Sequence, residues 1–189
     1  MVPLPPPEER TLRAVGARRR APGVPSAAEL VRTLRGLAQE GGGLVAVLDA
    51  EAVAGERHLL SAWAHLGRSR SRGAARLRDP SAEFVLYVAG DDQLPRALAR
   101  VGVGEATERF VVVAERPREP AELLERFGLV ADPSAYPRPV TAAVLDRLGI
   151  TEAERSAVPP SGWEGLVLEK VALVDLSASA GRPAATPKP

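Results

Sequence analysis

The fold is decided by the stretch from Asp49 to Gly102, which reads DAEAVAGERHLLSAWAHLGRSRSRGAARLRDPSAEFVLYVAGDDQLPRALARVG. An apolar run, LVAVL at residues 44–48, precedes it and is typical of a buried strand. Inside the stretch, the spacing of apolar residues predicts a long helix that starts near Arg57 and ends near Gly73. The apolar run at residues 83–89 predicts a second buried strand, and a short amphipathic helix closed by Gly102 follows it.

The flanking sequence predicts further strands and helices. Thr11–Ala17 and Arg109–Glu115 have strand composition, and a capping box at Ser26 starts a helix that the glycines at 41–43 end. After Pro117 the patterns are helical. The predicted segments there are a helix over Glu119–Phe127, one over Val140–Leu148, and two that begin at capping boxes on Thr151 and Ser161.

Alternation of strands and helices favours a mixed α/β fold. We expect a small, partly parallel sheet of three or four strands with flanking helices and a helical C-terminal part; an α+β fold is the alternative. The chain of 189 residues suits one domain, expected at residues 10–177. Residues 1–9 are rich in proline, and residues 178–189 in small residues and proline, so both are predicted to be flexible tails.

Composition excludes several classes of protein. No apolar run is long enough to span a membrane, and the absence of cysteine removes disulfides and thiolate metal sites, which fits a cytoplasmic location. A net charge of +1 means that any nucleic-acid site must come from local clustering of cations. The basic residues are 23 Arg and two Lys, and Asn and Cys are absent. The loss of these thermolabile residues fits a thermophile, whereas the shortage of Lys does not and indicates a GC-rich genome.

The long helix divides into two faces. Stepped at about 100° per residue, its basic and polar residues share one arc and most of its leucines lie opposite. The polar arc contains Arg57, His58, Ser61, His65, Arg68, Ser69 and Arg72. Such an arc is either a binding face or a solvated one.

The sequence contains no catalytic constellation. His58 and His65 are two helical turns apart, roughly 10 Å, so one metal cannot bind both. Asp91 and Asp92 follow an apolar run and precede a helix, which favours a helix cap over a magnesium site. Ser61 and His65 lack an oriented base and an oxyanion hole. We therefore expect neither enzymatic activity nor a cofactor.

Several motifs, in their order along the chain, resemble one known family. They are VAGERHLLSA at 53–62, EFVLYVAG at 83–90, LGIT at 148–151 and LEKVALV at 168–174. Together they resemble the PRPK-binding-protein (TPRKB) family, the small non-catalytic subunit of the KEOPS complex. The resemblance covers residues 11–176. It departs from the family pattern at Asp92, where a basic residue is common, and at the proline-rich ends.

The resemblance implies a function in tRNA modification. A family member would dock on the kinase-like ATPase subunit of KEOPS, support its activity, and bind the tRNA 3′ CCA end during threonylcarbamoyl-adenosine synthesis. On this hypothesis the candidate tRNA-binding residues are Arg57, His58, Arg68, Arg72 and Arg76. The C-terminal helix is apolar over a wide side, which either lies in the core or is buried by a partner. The candidate partner residues on this helix are Lys170, Val174 and Asp175. The alternatives are a small enzyme acting on a phosphorylated metabolite and an interaction scaffold without nucleic-acid binding.

Overall fold

A sheet, four-stranded in the part of the chain that the structure describes, forms the centre of the protein. The computed structural model describes residues 11–41 and 43–180, with side chains to residue 177. The strands are β1 Leu12–Arg19, β2 Val45–Asp49, β3 Arg109–Glu115 and β4 Leu129–Ala131, in the order β2-β3-β1-β4. Every neighbouring pair is antiparallel. Val112 of β3, for example, lies opposite Val15 of β1 on one side and opposite Val47 of β2 on the other. The predicted partly parallel sheet is therefore wrong, and an antiparallel sheet with packed helices corresponds to the α+β alternative.

Within residues 11–41 and 43–180, eight α-helices surround the sheet. They are α1 Ala27–Glu40, α2 Glu56–Ser71, α3 Pro80–Ala89, α4 Leu94–Val101, α5 Pro120–Phe127, α6 Ala142–Arg147, α7 Glu152–Ser156 and α8 Trp163–Ala180. Among the residues described, none of these helices is long and apolar enough to cross a membrane.

The sheet separates two apolar cores. Alternate residues of β3 point to opposite faces, so Val111 and Val113 enter one core while Phe110 and Val112 enter the other. The first core lies under α2, α3, α4 and α8, and the second under α1 and α5. Because β3 is buried on both faces, its sequence is continuously apolar.

The prediction of a strand at residues 83–89 is wrong, because this segment forms most of α3. All seven of its residues are buried, since α3 packs between α2, α4, α8 and the sheet. A helix buried on every side has no apolar stripe, so its periodicity matches that of a buried strand. The helix signals lie at its ends: Asp79 caps the N-terminus, Pro80 begins the first turn, and Gly90 ends the helix with φ +60°. With this strand removed, no parallel crossover remains between β2 and β3.

Most other element predictions are confirmed. β1 and β3 form where expected, and reciprocal capping boxes are present at Ser26 and Thr151. Ser161 differs from the prediction, because it lies in a 3-10 turn at Pro160–Gly162 and α8 follows directly at Trp163. The three-residue β4 was not predicted. The predicted tail at residues 1–9, and positions 181–189 of the C-terminal one, lie outside the described residues.

Candidate partner and nucleic-acid surfaces

Helix α8 buries one side and exposes apolar residues on another. Val167, Val171 and Val174 are buried against α2 and α3, whereas Leu173 and Leu176 are 44% and 64% exposed. The structure thus assigns the valines of the wide apolar side to the core. Val174, a predicted partner residue, has 2% exposure, so its side chain is not available for contact. Leu173 and Leu176 form the exposed apolar part of α8.

A surface cleft of about 340 Å³ lies beside Leu173. It runs between α8 and the junction of α3 with α4, and Lys170, another predicted partner residue, borders it. Gly90 allows this close approach, since a Cβ there would lie 2.9 Å from the Lys170 Cβ. The lining residues are Gly90, Asp91, Asp92, Arg96, Arg100, Leu148, Gly149, Lys170, Leu173, Val174 and Ser177.

Charges in the cleft are held in ion pairs. Asp91 accepts hydrogen bonds from Arg96 Nε at 3.0 and 3.1 Å, and Arg100 Nη1 lies 3.2 Å from its second oxygen. Burial opposes ionisation of Asp91, but these arginines and the Gln93 amide lower the pKa of its carboxyl. Asp91 accepts from the Gln93 amide at 2.9 Å and anchors two cations. The N-cap of α4 is Gln93, with no side-chain capping bond, so the predicted cap at Asp91 or Asp92 is wrong. On the other side, Lys170 Nζ lies 3.1 Å from Glu154 Oε1.

Asp175 belongs to a polar cluster between α2, α3 and α8. His65 Nδ1 lies 2.6 Å from Asp175 Oδ2, and the Tyr87 hydroxyl donates to Asp175 Oδ1 at 2.7 Å. Partial burial opposes ionisation of Asp175, but hydrogen bonds from His65 and Tyr87 lower the pKa of its carboxyl. Burial, together with this carboxylate, raises the pKa of Tyr87 to about 12. Asp175 thus joins three helices, a role that sequence analysis missed because Tyr87 was placed on a strand.

The structure separates the five predicted tRNA-binding residues. Arg57 and Arg68 are exposed on α2, and Arg72 is exposed at its C-terminal cap. Arg57 Nη1 lies 2.7 Å from Glu164 Oε2 of α8. Arg76 is partly buried, and its guanidinium donates to the Val174 carbonyl. Three of the five therefore share an accessible helix surface, which we call the α2 arginine surface (Arg57, Arg68 and Arg72).

His58 lies in the core, with no exposed surface. Its Nδ1 accepts from the Ala54 amide at 3.1 Å, and its Nε2 lies 2.8 Å from the Val88 carbonyl, to which it donates. Burial lowers the pKa of this imidazole to about 4, against the opposing effect of the Val88 bond. The predicted contact of His58 with a base does not fit this position, because both ring nitrogens are engaged inside the protein.

A buried carboxylate holds the loop after α2. Glu83 Oε1 accepts from Ser69 Oγ at 3.2 Å and from the Arg76 amide at 3.1 Å, and Arg70 Nη2 lies 3.0 Å from Oε2. This cluster fixes the chain where the α2 arginine surface ends. Within the described part of the chain, no group of three or more His, Cys, Asp or Glu is arranged to hold a metal ion.

Comparison with known protein families gives a match in the N-terminal and central part of the chain. The family model described as "Kinase binding protein CGI-121" matches residues 23–132, which is more than half of the chain. The match includes α1 to α5 and β2 to β4, and α8 lies beyond it. The chain has no significant match among curated proteins.

Proposed function

The chain belongs to the CGI-121 family of kinase-binding proteins, and on that basis we propose that it is a non-catalytic subunit that docks on a kinase-like ATPase. More specifically, we propose that it is the small subunit of KEOPS and supports threonylcarbamoyl-adenosine modification of tRNA. Membership of the CGI-121 family supports kinase binding. The motifs of this chain that resemble the PRPK-binding-protein family support the assignment to KEOPS.

The exposed leucines of α8 carry the proposal for where the kinase docks. Large apolar side chains that stay exposed on a helix otherwise anchored in the core are typical of a partner surface. Leu173 and Leu176 are such a pair, and the adjoining cleft supplies Lys170 and the Asp91–Arg96 ion pair as a polar rim. We therefore place the contact at Leu173, Leu176 and Lys170, and assign Asp175 and Val174 to holding α8 in place.

The test is co-purification with the kinase-like ATPase subunit. Leu173→Glu together with Leu176→Glu should weaken binding by at least about tenfold, because two apolar contacts of more than 1 kcal/mol each are typical of an interface centre. Val31→Glu is the matched control, since Val31 is an exposed apolar residue on α1, across the sheet. Unchanged binding of the double variant would remove α8 from the interface.

We further propose that the α2 arginine surface binds the tRNA 3′ CCA end. Stepped at about 100° per residue, Arg57, Arg68 and the C-cap Arg72 lie within about 60° of one another, so a single-stranded backbone can follow them along α2. His58 is left out because it is buried, and Arg76 because its guanidinium bonds α8. A gel shift with intact tRNA and with tRNA lacking CCA tests this proposal, and equal affinity for both would contradict it.

A further inference from the structure

Strand β2 lies at one edge of the sheet, and part of its outer side has no hydrogen-bond partner. The Glu115 amide donates to the Leu44 carbonyl, so even-numbered residues of this strand bond β3 and odd-numbered residues point outward. The Val45 amide donates to Ser81 Oγ at 3.0 Å. Within the described residues, nothing bonds the Val45 carbonyl or the amide and carbonyl of Val47. These main-chain groups are therefore left for an added strand.

Helices cover both faces of this edge and leave a cleft of about 390 Å³ between them, which we call the β2 slot. Val45 and Val47 form its floor and are 4% and 5% exposed. Its walls are apolar on both sides, with the exposed Val31 of α1 on one and the exposed Leu98 of α4 on the other. A floor recessed between two helical layers admits a single extended segment. Because such a segment meets apolar surface on both faces, it should be apolar at successive positions, as β3 is.

Residues 1–5 of the chain, Met-Val-Pro-Leu-Pro, have this pattern. Each of them is apolar, and proline occupies alternate positions. Successive amides of a strand point to opposite sides, so when the Val2 and Leu4 amides face β2, Pro3 and Pro5 face outward. Proline is accepted in an edge strand when its missing N–H lies on the outer side. The spacing of the prolines therefore leaves one side of this segment able to pair.

The connection to β1 sets the direction of the segment. The Arg116 amide donates to the Thr11 carbonyl, and Arg116 lies two residues beyond Ala114, the partner of Val45. Thr11 is thus at the end of the sheet where β2 begins, and a segment that enters the slot from there runs antiparallel to β2. Three strand spacings and two residues of rise place Thr11 about 16 Å from the site opposite Val45. The chain from Leu4 to Thr11 spans up to about 23 Å, so Leu4 can reach that site.

Charge favours the same path. Glu8 and Glu9 follow the segment in the sequence and would cross the end of the sheet near Arg116. The Arg116 side chain is 46% exposed, with its Nε 3.8 Å from Glu119 Oε1, and Arg118 borders the slot at this end. Two carboxylates that pass these cations gain a modest attraction.

We propose that residues 1–5 bind in the β2 slot as a fifth, antiparallel strand, with Leu4 opposite Val45 and Val2 opposite Val47. The Leu4 amide donates to the Val45 carbonyl, and Val2 and Val47 exchange two hydrogen bonds, so the unpaired groups of β2 gain partners. Val2 and Leu4 then face α1, and Pro3 faces α4. This arrangement differs from the flexible tail that composition predicts. The outward prolines keep further strands from adding to the sheet.

Amide hydrogen exchange of Val47, measured by NMR in the full chain, tests the proposal. Leu4→Pro removes the N–H that faces Val45 and places the proline ring against that carbonyl, so it should release the segment. A segment bound for nine tenths of the time slows exchange about tenfold, so the Val47 amide should exchange at least about tenfold faster in this variant. Pro3→Ala is the matched control, because it changes a proline on the outer side and should keep the slow exchange.

Two further readouts separate the segment from other occupants of the slot. The Val112 amide bonds β1 and should exchange alike in all three proteins. Nuclear Overhauser contacts should join Leu4 to α1 and Pro3 to α4 in the unchanged protein and should be lost in Leu4→Pro. Equal exchange of Val47 in the unchanged protein and in Leu4→Pro, or absence of these contacts, would overturn the proposal. Protection of Val47 that rises with protein concentration would also overturn it, because a second copy would then fill the slot.

The β2 slot is separate from the two surfaces proposed above. The kinase surface lies on α8 and the α2 arginine surface on α2, whereas the slot lies between α1 and α4. Leu4→Pro should therefore bind the kinase-like ATPase and tRNA as the unchanged protein does, so this proposal and the proposed function fail separately.

Discussion

At the scale of single residues, His58 shows how far a helical projection predicts a site. The polar arc predicted for α2 covers about 120° of the helix circumference. Arg57, Arg68 and Arg72 occupy about the first 60° of this arc and are exposed. His58 and Ser69 occupy its far end and are buried, because α3 and α8 both pack on α2 and widen its buried side. The arginines could be predicted from the sequence; the position of His58 depends on neighbours that the sequence does not specify.

The burial of His58 predicts a pH dependence of stability. The unfolded chain binds a proton at this imidazole below about pH 6.5, whereas the folded chain does so only near pH 4. The contribution of neutral His58 is therefore complete above pH 6.5 and is lost progressively down to pH 4, by up to about 3 kcal/mol. A protonated ring would also direct a second N–H at the Ala54 amide.

Urea unfolding of the protein and of His58→Gln, from pH 4 to pH 7, measures this loss. The free energy of unfolding should fall more steeply with acid in the unchanged protein, so the gap between the two should narrow below pH 6.5. Carboxylates titrate in both proteins and cancel in the comparison. Parallel curves would show that His58 does not titrate as its buried position requires.

At the scale of elements, α3 shows the limit of pattern reading. Its seven buried residues, Glu83 to Ala89, match a buried strand and a buried helix equally well, and the choice depends on the caps at Asp79 and Gly90. The strand predicted in place of α3 led to the prediction of a partly parallel sheet. It also gave no indication that Tyr87 lies beside Asp175. The three-residue β4 carries too little pattern to be found. α1, α4 and α5 were predicted because each buries one face only.

Substitution by alanine should change stability in opposite directions at two glycines. Gly90 lies where α8 packs on the end of α3, and Gly67 lies on the open surface of α2. Gly90 has φ +60° and a Cβ there would lie 2.9 Å from the Lys170 Cβ, so Gly90→Ala should cost about 1–3 kcal/mol. Gly67 lies in α2 with open space around it, so Gly67→Ala should stabilise by about 0.5–1 kcal/mol. Thermal melting should show a clear decrease for the first variant and a small increase for the second. An increase for Gly90→Ala would mean that α8 can move away from α3.

At the scale of the whole molecule, net charge and local charge point to different behaviour. The chain carries only +1, so no general attraction to nucleic acid is expected. Many of its arginines are engaged in ion pairs, as with Arg96 on Asp91 and Arg147 on Asp49. Arg68 and Arg72, by contrast, are exposed on one side of one helix. Binding of tRNA should therefore depend on a few named residues rather than on the overall field.

The last prediction follows from that contrast. Arg68→Ala together with Arg72→Ala should weaken tRNA binding, and the slope of log affinity against log salt should fall by about 1.4, since each single-strand phosphate contact contributes about 0.7. Stability should change little, because exposed helix positions accept alanine. Arg32→Ala with Arg35→Ala is the matched control, as both are exposed arginines on α1, across the sheet from α2. If the two double variants lose affinity equally, the binding reflects general charge, and the α2 arginine surface is not the site.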